Sequence, residues 1–143
     1  MTWQGAALGL AGVIGSGVAV VHGILVQRLM VRPFEPLLLA DKRMTASVRR
    51  IVPGLLHFST FNWFLGGLAL IAAAIWFEQD ARLATGLFVG SSYLYGALGN
   101  LWATRGRHVG WMLYAVALVL IAFGVNGSGA EAPSSSEAGA LMR

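Results

Sequence analysis

Four stretches of the chain contain no Asp, Glu, Lys or Arg. They cover residues 2–27, 51–77, 83–104 and 109–130, with lengths of 26, 27, 22 and 22 residues. A membrane-spanning helix needs roughly 20 mainly apolar residues, so each stretch is long enough for one span and too short for two. The pattern predicts an all-α integral membrane four-helix bundle, with spans at about 3–27, 52–77, 83–104 and 109–126.

The composition favours the same class of protein. Hydrophobic residues make up 57% of the chain and charged residues 11%, with a mean hydropathy of +0.69; soluble domains contain about 25% charged residues. The chain has no cysteine, which excludes disulfides, thiolate metal sites and cysteine nucleophiles. Residues 1–5 lack the basic segment of a signal peptide, so the first apolar stretch is expected to remain in the mature protein.

The charges predict an orientation. Six basic and two acidic residues lie in 28–50, the segment 78–82 has one net negative charge, and 105–108 is basic. Positive connections face the cytoplasm, and the first and third connections of a four-span protein lie on one side. We therefore predict a multi-pass protein with both termini outside the cytoplasm, and the small, Ala/Gly/Val-rich chain favours a bacterial inner membrane.

The net charge of +4 does not indicate nucleic acid as a partner, because the basic residues lie in short connections between apolar stretches. This placement favours a bilayer with anionic headgroups.

An interfacial amphipathic helix is predicted over residues 37–50, between spans 1 and 2. Pro33 and Pro36 are expected to break the chain before it. Its apolar positions recur at helical spacing, and its basic face comprises Lys42, Arg43, Arg49 and Arg50. The helix either binds anionic lipid or a partner, or serves as a passive linker. After the last span, residues 127–143 form a small, polar tail that is predicted to be disordered.

Small residues predict how the helices pack, since lipid gives helices no hydrophobic drive to associate. Span 1 has one continuous small face: Gly5, Gly9, Gly12, Ser16, Ala19 and Gly23. Spans 2 and 3 carry similar faces, whereas span 4 is bulky. Helices one to three are therefore expected to form the tight core and helix four to contact more lipid. The same faces leave homo-oligomerisation open. Four tryptophans near span ends are predicted interfacial anchors: Trp3, Trp76, Trp102 and Trp111.

Two histidines are the main candidates for chemistry, because no carboxylate lies within a predicted span. His22 and His57 each lie about six residues inside a span, roughly 9 Å from its cytoplasmic edge. Such a pair could bind haem b or a metal. Alternatively each ring is neutral and hydrogen-bonded to a neighbour. His57 lies on the face opposite the small residues of its helix, which favours the second interpretation.

The segment 56–67, with His57 followed by Gly66 and Gly67, is similar to the His-then-Gly-Gly helix of the copper-resistance D-type membrane domain. The resemblance covers about a dozen residues, and Trp63 stands one position from the usual place. It implies that His57 is a metal or haem ligand, and it does not identify the family.

Other polar side chains within the spans are predicted to serve packing: Ser59, Asn62, Asn100 and Tyr93. Asn62 and Asn100 are expected to hydrogen-bond across the second and third spans. A polar lining of a small binding cavity is the alternative.

The sequence contains no nucleophile triad, phosphate-binding glycine loop or zinc spacing. It therefore favours a non-enzymatic accessory or structural subunit with a membrane-protein partner. A haem or metal protein that uses His22 and His57 is one alternative. A small oligomeric solute carrier is another, and the lack of a buried carboxylate tells against proton-coupled export.

Overall fold

The computed structural model describes residues 2–41 and 43–126, and within these ranges the chain is helical without any β-strand. The four helices are α1 (Trp3–Ala40), α2 (Ala46–Trp76), α3 (Gln79–Thr104) and α4 (Gly110–Val125). Each helix packs against the next, and α4 returns to α1. The all-α prediction is confirmed. The predicted disordered tail, 127–143, lies outside the described residues.

Two of the four helices are long and apolar enough to cross a membrane, by length and composition. They are α1 and α2, with 38 and 31 residues. Helix α3 is long, with 26 residues, but is less apolar, and α4 is apolar but has 16 residues. Four helices are therefore present where four spans were predicted, and two of them meet this criterion.

Helix α1 continues through the two prolines that were expected to break it. It consists of an α-helical segment, Trp3–Val26, a π-helical turn, Gln27–Val31, and a second α-helical segment, Arg32–Ala40. Pro33 and Pro36 have no backbone N–H to donate to the preceding turn. The π turn ends two residues before Pro33, Pro36 lies inside the α-helical segment that follows, and the helix extends to Ala40.

The reversal between α1 and α2 is fixed by capping residues. Asp41 leaves the helix in an extended conformation, and its Oδ1 accepts from the Arg43 N–H at 2.9 Å. Thr45 caps α2, and its hydroxyl accepts from the Val48 N–H at 3.4 Å. The Arg49 guanidinium donates to the Asp41 carbonyl at 2.7 Å, which closes the turn.

The interfacial helix predicted over 37–50 is therefore wrong as a single element. Residues 37–40 end α1, and residues 46–50 begin α2. The helical periodicity of the apolar positions was real, but the caps at Asp41 and Thr45 divide it between two helices. Pro53 lies inside α2.

At the seam between α1 and α2 the two backbones come into contact. A Cβ placed on Gly12 would lie 2.5 Å from the Gly67 carbonyl oxygen, and a Cβ on Gly67 would lie 2.6 Å from the Gly12 oxygen. Gly5 faces the Ala74 carbonyl and Gly23 faces the Thr60 methyl group along the same seam. The small face predicted on the first helix thus packs on α2.

Helix α4 is part of the core, so the prediction that helices one to three form the tight core without it is wrong. Its buried residues recur at helical spacing and include Tyr114, Ala117, Ile121 and Gly124. A Cβ on Gly124 would lie 2.9 Å from the Leu8 Cβ. Of the bulky residues that suggested lipid contact, Val116, Val119 and Phe123 are exposed, whereas Ile121 belongs to the core and Leu118 and Leu120 pack against it.

The end of α1 and the start of α2 extend past the loop that joins α3 to α4. His22 of α1 and the first residues of α4 line the same groove. From there α1 continues for a further 18 residues to Ala40. Fourteen residues of helix, 27–40, correspond to about 21 Å. We call residues 27–40 together with 46–52 the arm. A cleft of about 510 Å³ lies between its two halves.

Replacing Gly12 with valine is expected to destabilise the fold by about 1–3 kcal/mol, because the side chain would force apart two backbones in contact. Gly17→Val is the matched control, since a Cβ on Gly17 meets no atom within 4 Å. Thermal unfolding in mild detergent measures both. Equal melting temperatures for the two variants would contradict the close contact between the α1 and α2 backbones at Gly12.

Candidate functional site

Polar side chains gather at the end of the bundle where α3 turns into α4. There a groove of about 470 Å³ lies between α1, α3 and α4. We call it the loop-end groove. Its polar end is formed by His22, Asn100, Arg107 and His108, and its apolar part is lined by Val13, Gly17, Val21 and Leu113 among others.

The loop is held in place by its own hydrogen bonds. Helix α3 ends with Arg105 in the left-handed region, at φ 50°. The Gly106 N–H then returns to the Leu101 carbonyl at 2.9 Å, as in a Schellman cap. The His108 N–H donates to the Thr104 hydroxyl at 3.4 Å, and the Trp111 indole donates to the Gly106 carbonyl at 3.1 Å. These bonds fix Arg107 and His108 at the groove.

His108 presents an N–H group rather than a lone pair. Its Nδ1 accepts from the Gly110 backbone N–H at 3.0 Å, so Nδ1 carries no proton. A neutral imidazole has one proton, which therefore lies on Nε2. The ring is set up to donate to an acceptor in the groove.

His22 lies half-buried beside an aromatic cluster. Its ring packs edge-on against Trp63, with centroids 4.8 Å apart. Trp63 contacts Tyr114 at 5.2 Å, and Tyr114 contacts Tyr93 at 5.0 Å. The buried Tyr93 hydroxyl donates to the Trp63 carbonyl at 3.3 Å. Tyr93, one of the polar residues predicted to serve packing, therefore helps to hold Trp63, the residue against which His22 packs.

His57 has a different partner from His22. Its Nε2 lies 2.9 Å from the Gln27 Oε1, and since an amide oxygen only accepts, this nitrogen donates. Gln27 lies five positions beyond His22 on α1. The structure thus gives the two predicted ligands separate neighbours, and the haem or metal hypothesis stays a prediction. No group of three or more His, Cys, Asp or Glu side chains able to hold a metal ion occurs within 2–41 and 43–126.

The other predicted polar residues do not form one site. Asn62 donates to the Ser92 hydroxyl at 3.0 Å, from α2 to α3, and both line a second groove of about 480 Å³. Asn100 donates to the Gly96 carbonyl of its own helix at 2.9 Å. Ser59 is half-buried on α2.

The residues of the predicted basic face do not lie together on one helix. Arg49 and Arg50 line the cleft together with Glu35, whereas Arg43 lies in the turn. Lys42 lies outside the described residues.

Sequence reasoning missed Arg107 and His108 as site residues, because it treated 105–108 only as a charged connection. A local signal was present: Thr104, His108 and Gly110 are spaced for the hydrogen bonds that order the loop.

No family model matches the chain, and neither a curated protein nor a solved structure matches it. The function is therefore inferred from the residues and geometry described above.

The His57–Gln27 hydrogen bond is expected to contribute about 0.6 kcal/mol, the average for polar pairs between membrane helices. A double-mutant cycle of His57→Ala and Gln27→Ala, followed by thermal unfolding in detergent, measures this coupling.

We also expect the absorbance spectrum of the purified wild type to lack a Soret band. A Soret band that disappears in His22→Ala and His57→Ala would instead establish the haem hypothesis.

Proposed function

We propose that this chain is a four-span protein of a bacterial inner membrane, where it serves as a non-enzymatic accessory or structural subunit. The observation that carries the membrane assignment is the distribution of side-chain size. Buried positions are rich in Gly and Ala, while large apolar side chains are exposed on every helix. Phe61 on α2 is 60% exposed and Phe88 on α3 is 75% exposed. Water disfavours such an extensive apolar surface, whereas lipid hydrocarbon solvates it.

The charged residues support this assignment by their positions. Those that the structure describes lie in the arm, in the turn at 41–45, and in or next to the other two connections. Arg82 turns back to the end of α2 and donates to the carbonyls of Ala73 at 3.1 Å and Ala74 at 3.3 Å, where a cation offsets the negative end of the helix dipole. Trp76 and Trp102, at opposite ends of the bundle, are highly exposed, as expected for anchors in the two interfaces.

The proposed orientation follows from the alternating direction of the helices. The turn at 41–45 and the loop at 105–109 lie at the same end, because two antiparallel helices separate them. Both connections are basic, so the positive-inside rule places that end in the cytoplasm.

The arm supports the role of an accessory subunit. It combines four basic residues with apolar side chains that are well exposed, including Leu29, Phe34, Leu37, Leu39 and Ile51. The arm extends past the α3–α4 loop, so the bundle itself does not cover these side chains. A partner protein that covers them would remove this apolar surface from water and headgroups.

Single-cysteine labelling tests the orientation, and the cysteine-free sequence gives it a clean background. In intact cells Thr2→Cys and Glu78→Cys are expected to react with an impermeant maleimide, while Arg43→Cys reacts only after permeabilisation. The opposite pattern would overturn the orientation. Release of the wild type from membranes by alkaline carbonate would overturn the membrane assignment itself.

Purification in mild detergent tests the accessory role. The wild type is expected to bring down a second membrane protein at a fixed ratio, and Leu37→Ala to reduce its recovery about tenfold, equivalent to 1.4 kcal/mol. Leu87→Ala is the matched control, because Leu87 and Leu37 are 63% and 64% exposed. A wild type that purifies alone, or equal losses in both variants, would contradict the proposal.

A further inference from the structure

We propose that the loop-end groove binds one anionic phospholipid, with the phosphate at the polar end and an acyl chain along the apolar part. The inference rests on the proposed membrane location and adds a specific ligand site to it.

The polar end of the groove has the charge and the donors that a phosphate needs. The Arg107 guanidinium is always charged and has five N–H donors. His108 presents its Nε2–H, because Nδ1 accepts from the Gly110 N–H. Among the residues that the structure describes, no Asp or Glu lines the groove, so none of them would repel an anion there. Arginine and histidine together thus favour a negatively charged headgroup.

The rest of the groove suits a hydrocarbon chain. From His22 the lining follows one side of α1 to Val13, a distance of about 13 Å along the helix. Val13 and Val21 are 59% and 56% exposed, so the groove opens to the outside of the bundle. At Gly17 the floor is open, since a Cβ would meet no atom within 4 Å. An acyl chain placed there would lie against α1 and Leu113 of α4.

The position of the two parts selects a lipid over a soluble anion. The polar end lies at the basic loop and the apolar part runs from it towards the middle of the bundle. A lipid of the leaflet on that side has the same order of headgroup and chain. A free phosphate would use only the polar end and would leave the apolar part of the groove unfilled.

Native mass spectrometry of the full chain in detergent, with added phosphatidylglycerol or phosphatidylcholine, tests the site. We expect one phosphatidylglycerol per chain, bound about tenfold more tightly than phosphatidylcholine.

Arg107→Gln removes the charge, and Gly17→Leu fills the apolar part; each is expected to weaken binding about tenfold. Arg105→Gln removes a charge from the same loop outside the groove lining, and Gly99→Leu adds the same side chain at another open position. Both controls are expected to bind as the wild type does.

Three results would overturn the proposal. Equal binding of phosphatidylcholine would show that the headgroup charge is not recognised. Competition by glycerol 3-phosphate would show that the polar end takes phosphate without a chain. Equal losses in the variants and their controls would show general attraction to lipid. Melting temperatures check that each variant is folded, and carbonate extraction reports separately whether the chain is a membrane protein.

Discussion

The contact between the backbones of Gly12 and Gly67 is the constraint on which the rest of the fold depends. Two helices can approach this closely only where neither has a side chain, so the pair fixes the register of α1 on α2. In that register the Ser16 hydroxyl donates to the Phe64 carbonyl at 3.5 Å. One end of the seam then brings His22 against Trp63. The candidate site is therefore positioned by residues that have no side chain.

Gly15 also lacks a side chain, and this leaves room for an aromatic ring in the interior. The Tyr93 ring occupies the space where a Cβ on Gly15 would lie, and it packs there with Tyr114. The aromatic rings supply the volume that the glycine-rich helix lacks. Small residues on α1 and large rings on α2, α3 and α4 thus form one core, and the loop-end groove lies at its edge.

The helices and the small face of α1 were predictable, because apolar length and glycine spacing are local properties of the sequence. The continuation of α1 through Pro33 and Pro36 was not predictable, because the expectation that proline ends a helix assumes regular α-helical hydrogen bonding. The π turn at 27–31 departs from that regularity. The loop-end groove needs residues from three helices at one level, and only the register sets that level. His57 illustrates the limit: its helix face was predictable, but its bond to Gln27 depends on how α1 lies on α2.

The four helices differ greatly in length, and in the membrane location that we propose the shortest has a consequence for the lipid around it. Helix α4 has 16 residues, or about 24 Å, whereas the hydrocarbon core of a bilayer is roughly 30 Å thick. A short apolar helix is matched by local thinning of the bilayer. A bilayer around the proposed four-span bundle would therefore be thinner beside α4 than beside the 31-residue α2.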